Sequence, residues 1–252
     1  MISFVLTILL GSSLVFGFTL NGTQKGWKEQ SLEVNINTTN CPPDIMDRLN
    51  DSFKLWNSVP NSGLKLSLGR TSSTTSTYDL MHNAALDTPV VICSNTFTTD
   101  VSTPTSPADG NVIAGVGFAI AGSGGNLTYG GLVLNVESGK RADITITSES
   151  AKSLVIAHEI GHMLGLGHSS FEPALMYYSI GTKTNVSLAK DDWDGISYLY
   201  PRDELSKTNL AAGCGLIQNQ PPNTGRGLAI LLLLLSPFIV YGRLRFKNYI
   251  SV

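Results

Sequence analysis

The amino-acid sequence predicts an α/β (or α+β) domain. Its elements are expected in the order β-α-β, followed by β-β-α-loop-α. Short runs of alternating or β-branched apolar residues dominate the chain before residue 137. After Ser148 the apolar residues recur with the period of a helix. Charged residues make up only 14% of the chain, and Ser, Thr, Asn and Gly are abundant between residues 57 and 130. This composition favours a loop-rich exported domain over a helical bundle.

Each predicted element has its own signal in the sequence. Alternation or a short apolar run predicts strands at 31–37, 64–68, 89–93, 112–120 and 132–136, with one more strand end at 143–147. Helical spacing predicts helices at 42–56, from 148 to Gly165, and at 191–199. Clustered glycines predict a loop at 122–131.

The two ends of the chain predict export. Residues 1–17 resemble a cleavable signal peptide, so the mature domain is expected to span 18–203. A polar linker at 204–226 precedes an apolar segment at 227–242 and a basic tail at 243–252. Basic residues after an apolar run favour a cytoplasmic tail, which places the main domain outside. The net charge of −2 argues against a nucleic-acid partner.

Both ends also have alternative interpretations. The first apolar run could instead be an N-terminal anchor, and the last could be a buried helix rather than a membrane span. The order of Cys-Gly, Pro-Pro, apolar and basic residues from 214 to 247 also resembles the sorting tails of some Gram-negative bacteria. That interpretation predicts a bacterial origin and removal of the tail.

The three cysteines predict one disulfide. Cys41 and Cys93 both lie in the expected exported domain, where a disulfide is stable, although two unpaired thiols are the alternative. Cys214 is left over in the linker, and its role stays open.

One short stretch carries the pattern of a catalytic metal site. His158 and His162 are four residues apart on the predicted helix, so both imidazoles face one metal ion. Gly165 lets the chain leave the helix, and His168 then returns as a third ligand. Three protein ligands with one open position characterise a catalytic zinc site. Glu159 borders the same cleft and is the candidate general base.

The distribution of histidines supports this prediction. The chain has four histidines, and three of them occupy this single window. The fourth, His82, is expected on a surface loop without a role. We therefore expect one catalytic zinc ion as the cofactor.

These residues resemble the metzincin group of metalloproteases. The run from His158 to His168 matches HExxHxxGxxH, and Met176 in Ala-Leu-Met-Tyr matches the methionine turn that follows it. Ser169 and the stretch 188–200 are similar to the matrixins within that group. The resemblance implies a metzincin-like catalytic domain. Such a domain has a twisted, mostly parallel sheet with long helices, and its active-site helix is followed by the Met-turn and a C-terminal helix.

The chain departs from the matrixin pattern in several places. It has no histidine between 83 and 157, so the usual second zinc is not expected. The loop at 122–131 is a candidate for calcium but offers few carboxylates. The stretch starting at Cys41 is superficially similar to a cysteine switch, although no propeptide of the usual length precedes it. Tyr178 stands where matrixins tend to have proline; it could assist catalysis or simply form a pocket wall.

The resemblance also implies a mechanism and a class of partner. Metal-activated water would attack a peptide bond with Glu159 as the base, in a protein or peptide held along an edge strand at 112–120. Residues 174–181 would shape the pocket for the side chain after the cut. We expect a monomer attached to the membrane through its C-terminal segment. The alternatives are a catalytically inactive, zinc-containing surface binding protein and a zinc hydrolase with a non-protein substrate.

Overall fold

The computed structural model describes residues 17–22, 25–73, 88–179, 181 and 183–202. The predicted signal peptide (except Gly17), His82, Cys214, the linker, the apolar segment and the basic tail all lie outside these ranges. Among the described residues, no helix has the length and apolar character needed to cross a membrane.

Five strands and four helices form the described part of the domain. The strands are β1 (Ser31–Asn37), β2 (Lys65–Ser72), β3 (Val90–Ser94), β4 (Gly115–Ala121) and β5 (Leu127–Asn135). The helices are α1 (Ile45–Asn57), α2 (Phe97–Asp100), α3 (Glu149–Met163) and α4 (Lys190–Leu199). Each predicted helix is present, and α2 is an additional single turn.

The strands form one mixed sheet in the order β2-β1-β3-β5-β4. The pairs β1–β2, β1–β3 and β3–β5 are parallel, whereas β4 runs antiparallel to β5. The predicted α/β fold with a mostly parallel sheet is therefore confirmed. Strand β4 lies at one edge of this sheet, as expected for the 112–120 segment.

The predicted starts of two strands were wrong. Strand β5 begins at Leu127 instead of residue 132, so Gly130 and Gly131 belong to the strand and not to the loop. A side chain at Gly131 would collide with the Val90 carbonyl, so glycine is required here by close strand packing and does not mark a turn. Strand β4 begins only at Gly115, because the amides of Val112 and Ile113 both donate to Asp109 O and form a turn.

The predicted strand end at 143–147 was also wrong. The Asp143 carboxylate accepts hydrogen bonds from the Thr145 amide at 2.8 Å and from its hydroxyl at 2.7 Å. Such a local side-chain turn competes with strand pairing and bends the chain toward α3. The alternation of Ile144 and Ile146 reflects one buried and one exposed side chain within that turn.

Helices α1 and α3 pack together against one face of the sheet. The indole of Trp56, fully buried on α1, donates to Ala157 O in the middle of α3 at 3.0 Å. Its neighbours on α1, Leu49 and Phe53, are buried in the same core. This packing holds α3 at a set distance from the sheet, which positions the histidine-bearing helix.

The predicted disulfide between Cys41 and Cys93 is present. It joins the turn before α1 to the end of β3 and closes a loop with a sequence separation of 52 residues. A crosslink over a loop of this length stabilises a fold by about 4 kcal/mol in the chain-entropy account. Because its sulfur is bonded to Cys93, Cys41 has no free thiolate, and the cysteine-switch alternative is excluded.

An ion-pair cluster joins the first turns of α1 and α3. The buried Lys152 ammonium donates to both carboxylate oxygens of Asp44 at 3.1 Å, and Arg48 donates to the same carboxylate at 3.1 Å. Burial opposes ionisation of Asp44, but the hydrogen bonds from Lys152 and Arg48 outweigh it and lower its pKa. The ionised carboxylate therefore stabilises the folded chain.

We expect Asp44→Asn to lower the free energy of unfolding by about 2 kcal/mol at pH 7, because the buried ammonium loses its counter-charge. A lowered carboxyl pKa contributes stability above about pH 4 and loses it as the pH falls through the folded-state pKa. The difference between wild type and variant should therefore shrink at pH 3. Urea unfolding of wild type and variant at pH 7 and pH 3 measures this difference. Asp51→Asn, which removes the exposed ion pair with Lys54, is the control. An equal difference at both values would contradict the prediction.

Candidate metal centre and catalytic cleft

Helix α3 carries two of the three clustered histidines. It begins at a Ser148 cap, whose hydroxyl accepts from Ala151 N, and it ends after Met163. Gly165 then adopts φ +104°, a conformation that other residues rarely take, and the chain reverses direction. This reversal brings His168 back over the helix, so the predicted three-histidine cluster is formed.

The geometry of the three imidazoles suits a shared metal ion. Their ligand atoms all lie within 4.8 Å of one another. His158 Nδ1 donates to Leu175 O at 2.7 Å, and His162 Nδ1 donates to Leu166 O at 2.8 Å. Because carbonyl oxygens only accept, both Nδ1 atoms carry hydrogen, which leaves each Nε2 lone pair directed to the cluster.

The electrostatic environment keeps these imidazoles neutral. Burial lowers the pKa of His158 to about 4, and it lowers the pKa values of His162 and His168 as well. Neutral imidazole is the form that binds a metal, and three nitrogen donors with one open side match a catalytic zinc centre. The residues present therefore fit zinc.

Glu159 lies beside the cluster without joining it. Its Oε2 accepts a hydrogen bond of 2.6 Å from the backbone amide of Gly117 on the edge strand β4. Burial raises the pKa of Glu159 to about 8, although the Gly117 hydrogen bond works in the opposite direction. A positive charge placed in the histidine cluster would favour its ionised form.

A cleft of about 710 Å³ runs past these groups. One wall is formed by the segment 112–117, and the other by α3 and the chain after the methionine turn. Tyr178 lines the opposite rim of the same cleft and is 66% exposed. The structure thus brings Tyr178 to the cleft but records no hydrogen bond from its hydroxyl to any catalytic group among the described residues.

The predicted methionine turn lies beneath the histidines. Met176 is 2% exposed, and a side chain at Gly161 on α3 would overlap its sulfur. The amide of Ser169 donates to Met176 O at 2.7 Å, which joins the turn to the segment that carries His168. The turn therefore packs against the helix that carries His158 and His162, and it is bonded to the segment that carries His168.

A buried carboxylate that sequence reasoning did not single out holds this turn. Asp192 on α4 accepts hydrogen bonds from the amides of Leu175 at 2.8 Å, Met176 at 3.0 Å and Ala189 at 2.8 Å. Since Leu175 O in turn orients His158, Asp192 acts on the metal site through the backbone. The sequence predicted the helix that contains Asp192. It gave no indication of which backbone amides the Asp192 carboxylate binds, because no spacing rule relates them.

We expect Asp192→Asn to lower the free energy of unfolding by about 2 kcal/mol, because one oxygen becomes a donor that faces backbone amides. The affinity for zinc should fall by about tenfold or more as His158 loses its support. Urea unfolding measures the free energy of unfolding, and competitive zinc titration measures the affinity for zinc. Asp194→Asn on the exposed side of the same helix is the matched control and should change neither. Unchanged stability and zinc affinity in Asp192→Asn would contradict the role assigned to this carboxylate.

The comparisons with known proteins agree with this geometry. Residues 94–201 match the family model described as Matrixin, which covers the cleft strands, α3, the methionine turn and α4. The mixed five-stranded sheet and its helices are consistent with a matrixin-type α/β catalytic domain.

Several curated relatives are similar to parts of the chain. Metalloendoproteinase 1 from Glycine max is 44% identical over 86 residues, which are 34% of this chain and 28% of that protein. Metalloendoproteinase 2-MMP from Arabidopsis thaliana is 50% identical over 58 residues, 23% of this chain and 15% of that protein. Neutrophil collagenase from Homo sapiens is 29% identical over 197 residues, 73% of this chain and 35% of that protein.

The chain therefore spans 15% to 35% of the length of these three relatives. They come from plants and from a mammal, and they give the predicted bacterial origin no support. The matching family model is that of a peptidase family, and the two plant relatives are named as metalloendoproteinases. Residues 94–201 are thus similar to the matrixins, and the three-histidine cluster lies within the matched range.

Proposed function

We propose that this protein is a zinc-dependent endopeptidase that hydrolyses peptide bonds in extracellular or envelope proteins. The observation that carries the proposal is the meeting of three neutral imidazoles, the Glu159 carboxyl and an edge strand in one open cleft. A protein that only binds zinc has no need for a carboxyl group at this position.

His158, His162 and His168 would hold the zinc ion through their Nε2 atoms. Zinc, when bound, supplies a Lewis acid that lowers the pKa of a coordinated water to ~7 and polarises a carbonyl group. The Leu175 and Leu166 carbonyls keep two of the rings in the correct tautomer and orientation.

Glu159 is the proposed general base. It accepts a proton from the attacking water and then delivers that proton to the leaving amine. The Gly117 amide holds one carboxylate oxygen, which leaves the other oxygen available for the proton. Tyr178 is a proposed assisting group at the rim, where its hydroxyl could donate to the developing oxyanion.

The substrate is proposed to lie extended along β4. This strand is the last one of the described sheet on its side, and it pairs only with β5 there. An extended peptide can add to such an edge through its backbone groups. Residues 174–181 follow the cleft on its other side and would contact the side chain after the cut.

We also propose an exported, monomeric enzyme with the domain boundaries that the sequence predicts. Residues 1–17 would be removed, and residues 227–242 would anchor the chain or be cleaved as a sorting tail. Intact mass of the mature protein separates these two fates. A calcium ion at the 122–131 loop stays a candidate, and added calcium should then raise the thermal midpoint of unfolding.

The test of the function uses the mature full-length chain and a general protein substrate such as casein. Zinc-loaded protein should cleave the substrate, a chelator should stop cleavage, and added zinc should restore it. Zinc binding without cleavage of any of several diverse proteins would favour the inactive surface binding protein instead. Cleavage that persists in the chelator would overturn the proposed mechanism.

A further inference from the structure

A second cavity, which we call the Lys183 pocket, is lined by residues that neighbour those of the catalytic cleft in the chain. Its volume is about 270 Å³. Leu154, Pro173 and Leu175 form its apolar side. Lys183, Thr184 and Asn185 form its polar side. No step of the proposed mechanism uses this pocket.

The Lys183 pocket shares two walls with the catalytic cleft. On α3, Leu154 lines the pocket while its neighbour Val155 lines the cleft. On the other side, the chain after the methionine turn borders the cleft up to Gly181 and the pocket from Lys183. Leu175, a pocket residue, also bonds His158 through its carbonyl. The pocket therefore lies next to the catalytic cleft, on the side of His158.

Lys183 places a positive charge in this pocket. Its Nζ donates to Ala174 O at 2.6 Å and lies 5.2 Å from the centre of the Tyr177 ring. An ammonium has three hydrogens, so two remain for other acceptors. In the part of the chain that the structure describes, no carboxylate oxygen lies within ion-pair distance of Lys183. Burial lowers the pKa of Lys183, whereas the charges of Asp192 and Glu172 act on it from beyond ion-pair distance and raise it.

We propose that the Lys183 pocket makes the enzyme selective for an acidic side chain, glutamate above all, at the substrate position directly after the cleaved bond. This inference rests on the proposed peptidase function. The apolar wall suits the methylenes of glutamate, and the ammonium supplies the charge-assisted hydrogen bonds that its carboxylate needs. Aspartate is one methylene shorter and reaches less far into the pocket.

The test uses peptides that differ only at the position after the cut, with Glu, Gln or Lys there. For each enzyme the ratio of kcat/KM for the Glu peptide to that for the Gln peptide is measured. A ratio within one enzyme is independent of how much of a variant is folded. We expect a ratio of about ten for the wild type, which is the size of one hydrogen bond to a charged group.

Three variants complete the design. Lys183→Met keeps the length of the side chain but removes the charge, so the ratio should fall to about one. Lys183→Arg should keep the preference for Glu, and Lys183→Glu should shift it toward the Lys peptide. A wild-type ratio near one, or a ratio unchanged in Lys183→Met, would overturn the inference while leaving the peptidase function intact. Wild-type protein that binds zinc and cleaves no peptide would overturn the proposed function, and this selectivity with it.

Discussion

Replacement of Glu159 by Gln should reduce kcat/KM for peptide hydrolysis by about 10³-fold or more, because an amide cannot accept the proton of the attacking water. The geometry is expected to survive, since Gln has the same size and its amide oxygen can still accept from Gly117 N. The three histidines are unchanged, so zinc content should stay at one ion per chain. Steady-state kinetics and metal analysis of the same sample measure both quantities.

A matched control for this substitution lies on the same helix. Glu149 stands at the start of α3 with a side chain that is 82% exposed, and among the described residues its ion pair is with Arg48. Glu149→Gln should therefore leave kcat/KM within about twofold of wild type, as expected for an exposed ion pair. Cleavage by Glu159→Gln within tenfold of the wild-type rate would require a different general base.

Gly117→Ala should lower kcat by about 100-fold, the usual order of loss when a catalytic group is displaced by roughly 1 Å. A Cβ atom at this position would overlap the backbone carbonyl of Glu159, and it would lie 2.9 Å from His162 Cβ. Backbone of the helix cannot rotate away, so β4 must shift outward. That shift breaks the hydrogen bond that holds the Glu159 carboxylate.

Gly115→Ala on the same strand is the control for Gly117→Ala. Its Cβ would meet Glu159 Cγ and Val155 Cγ1, both at 3.2 Å, and side-chain atoms can move by the few tenths of an ångström required. We expect a loss in kcat of no more than about tenfold for Gly115→Ala. Separate measurement of kcat and KM tests the distinction, because a displaced base acts mainly on kcat. Equal kcat values in the two variants would argue against a positioning role for Gly117.

The sequence was most informative where function depends on spacing along one helix. His158, Glu159 and His162 lie on α3 at intervals that the helix itself converts into one cluster, and Gly165 marks the reversal before His168. These features are local, so a single sequence predicts them well. The mostly parallel sheet and the edge position of β4 followed from the order of elements and from the resemblance to matrixins.

Predictions were weaker where one local signal has two physical causes. Clustered glycines predicted a loop, yet Gly130 and Gly131 are strand residues that allow close approach of neighbouring strands. Alternating isoleucines predicted a strand at 143–147, yet a carboxylate turn at Asp143 bends the chain there. In both cases contacts with distant residues or a competing side-chain hydrogen bond decided the conformation.

The sequence by itself determined the class of fold and predicted the candidate metal ligands and general base, because these depend on residue type and on distances of a few residues. Only the tertiary structure decided how the groups are supported. Asp192 reaches the methionine turn from another helix, and Gly117 reaches Glu159 from the edge strand, 42 residues away along the chain. Both supports act through backbone amides, which every residue except proline possesses, so residue identity carries no signal for them. The position of Lys183 belongs to the same class, since only folding brings its pocket next to the catalytic cleft.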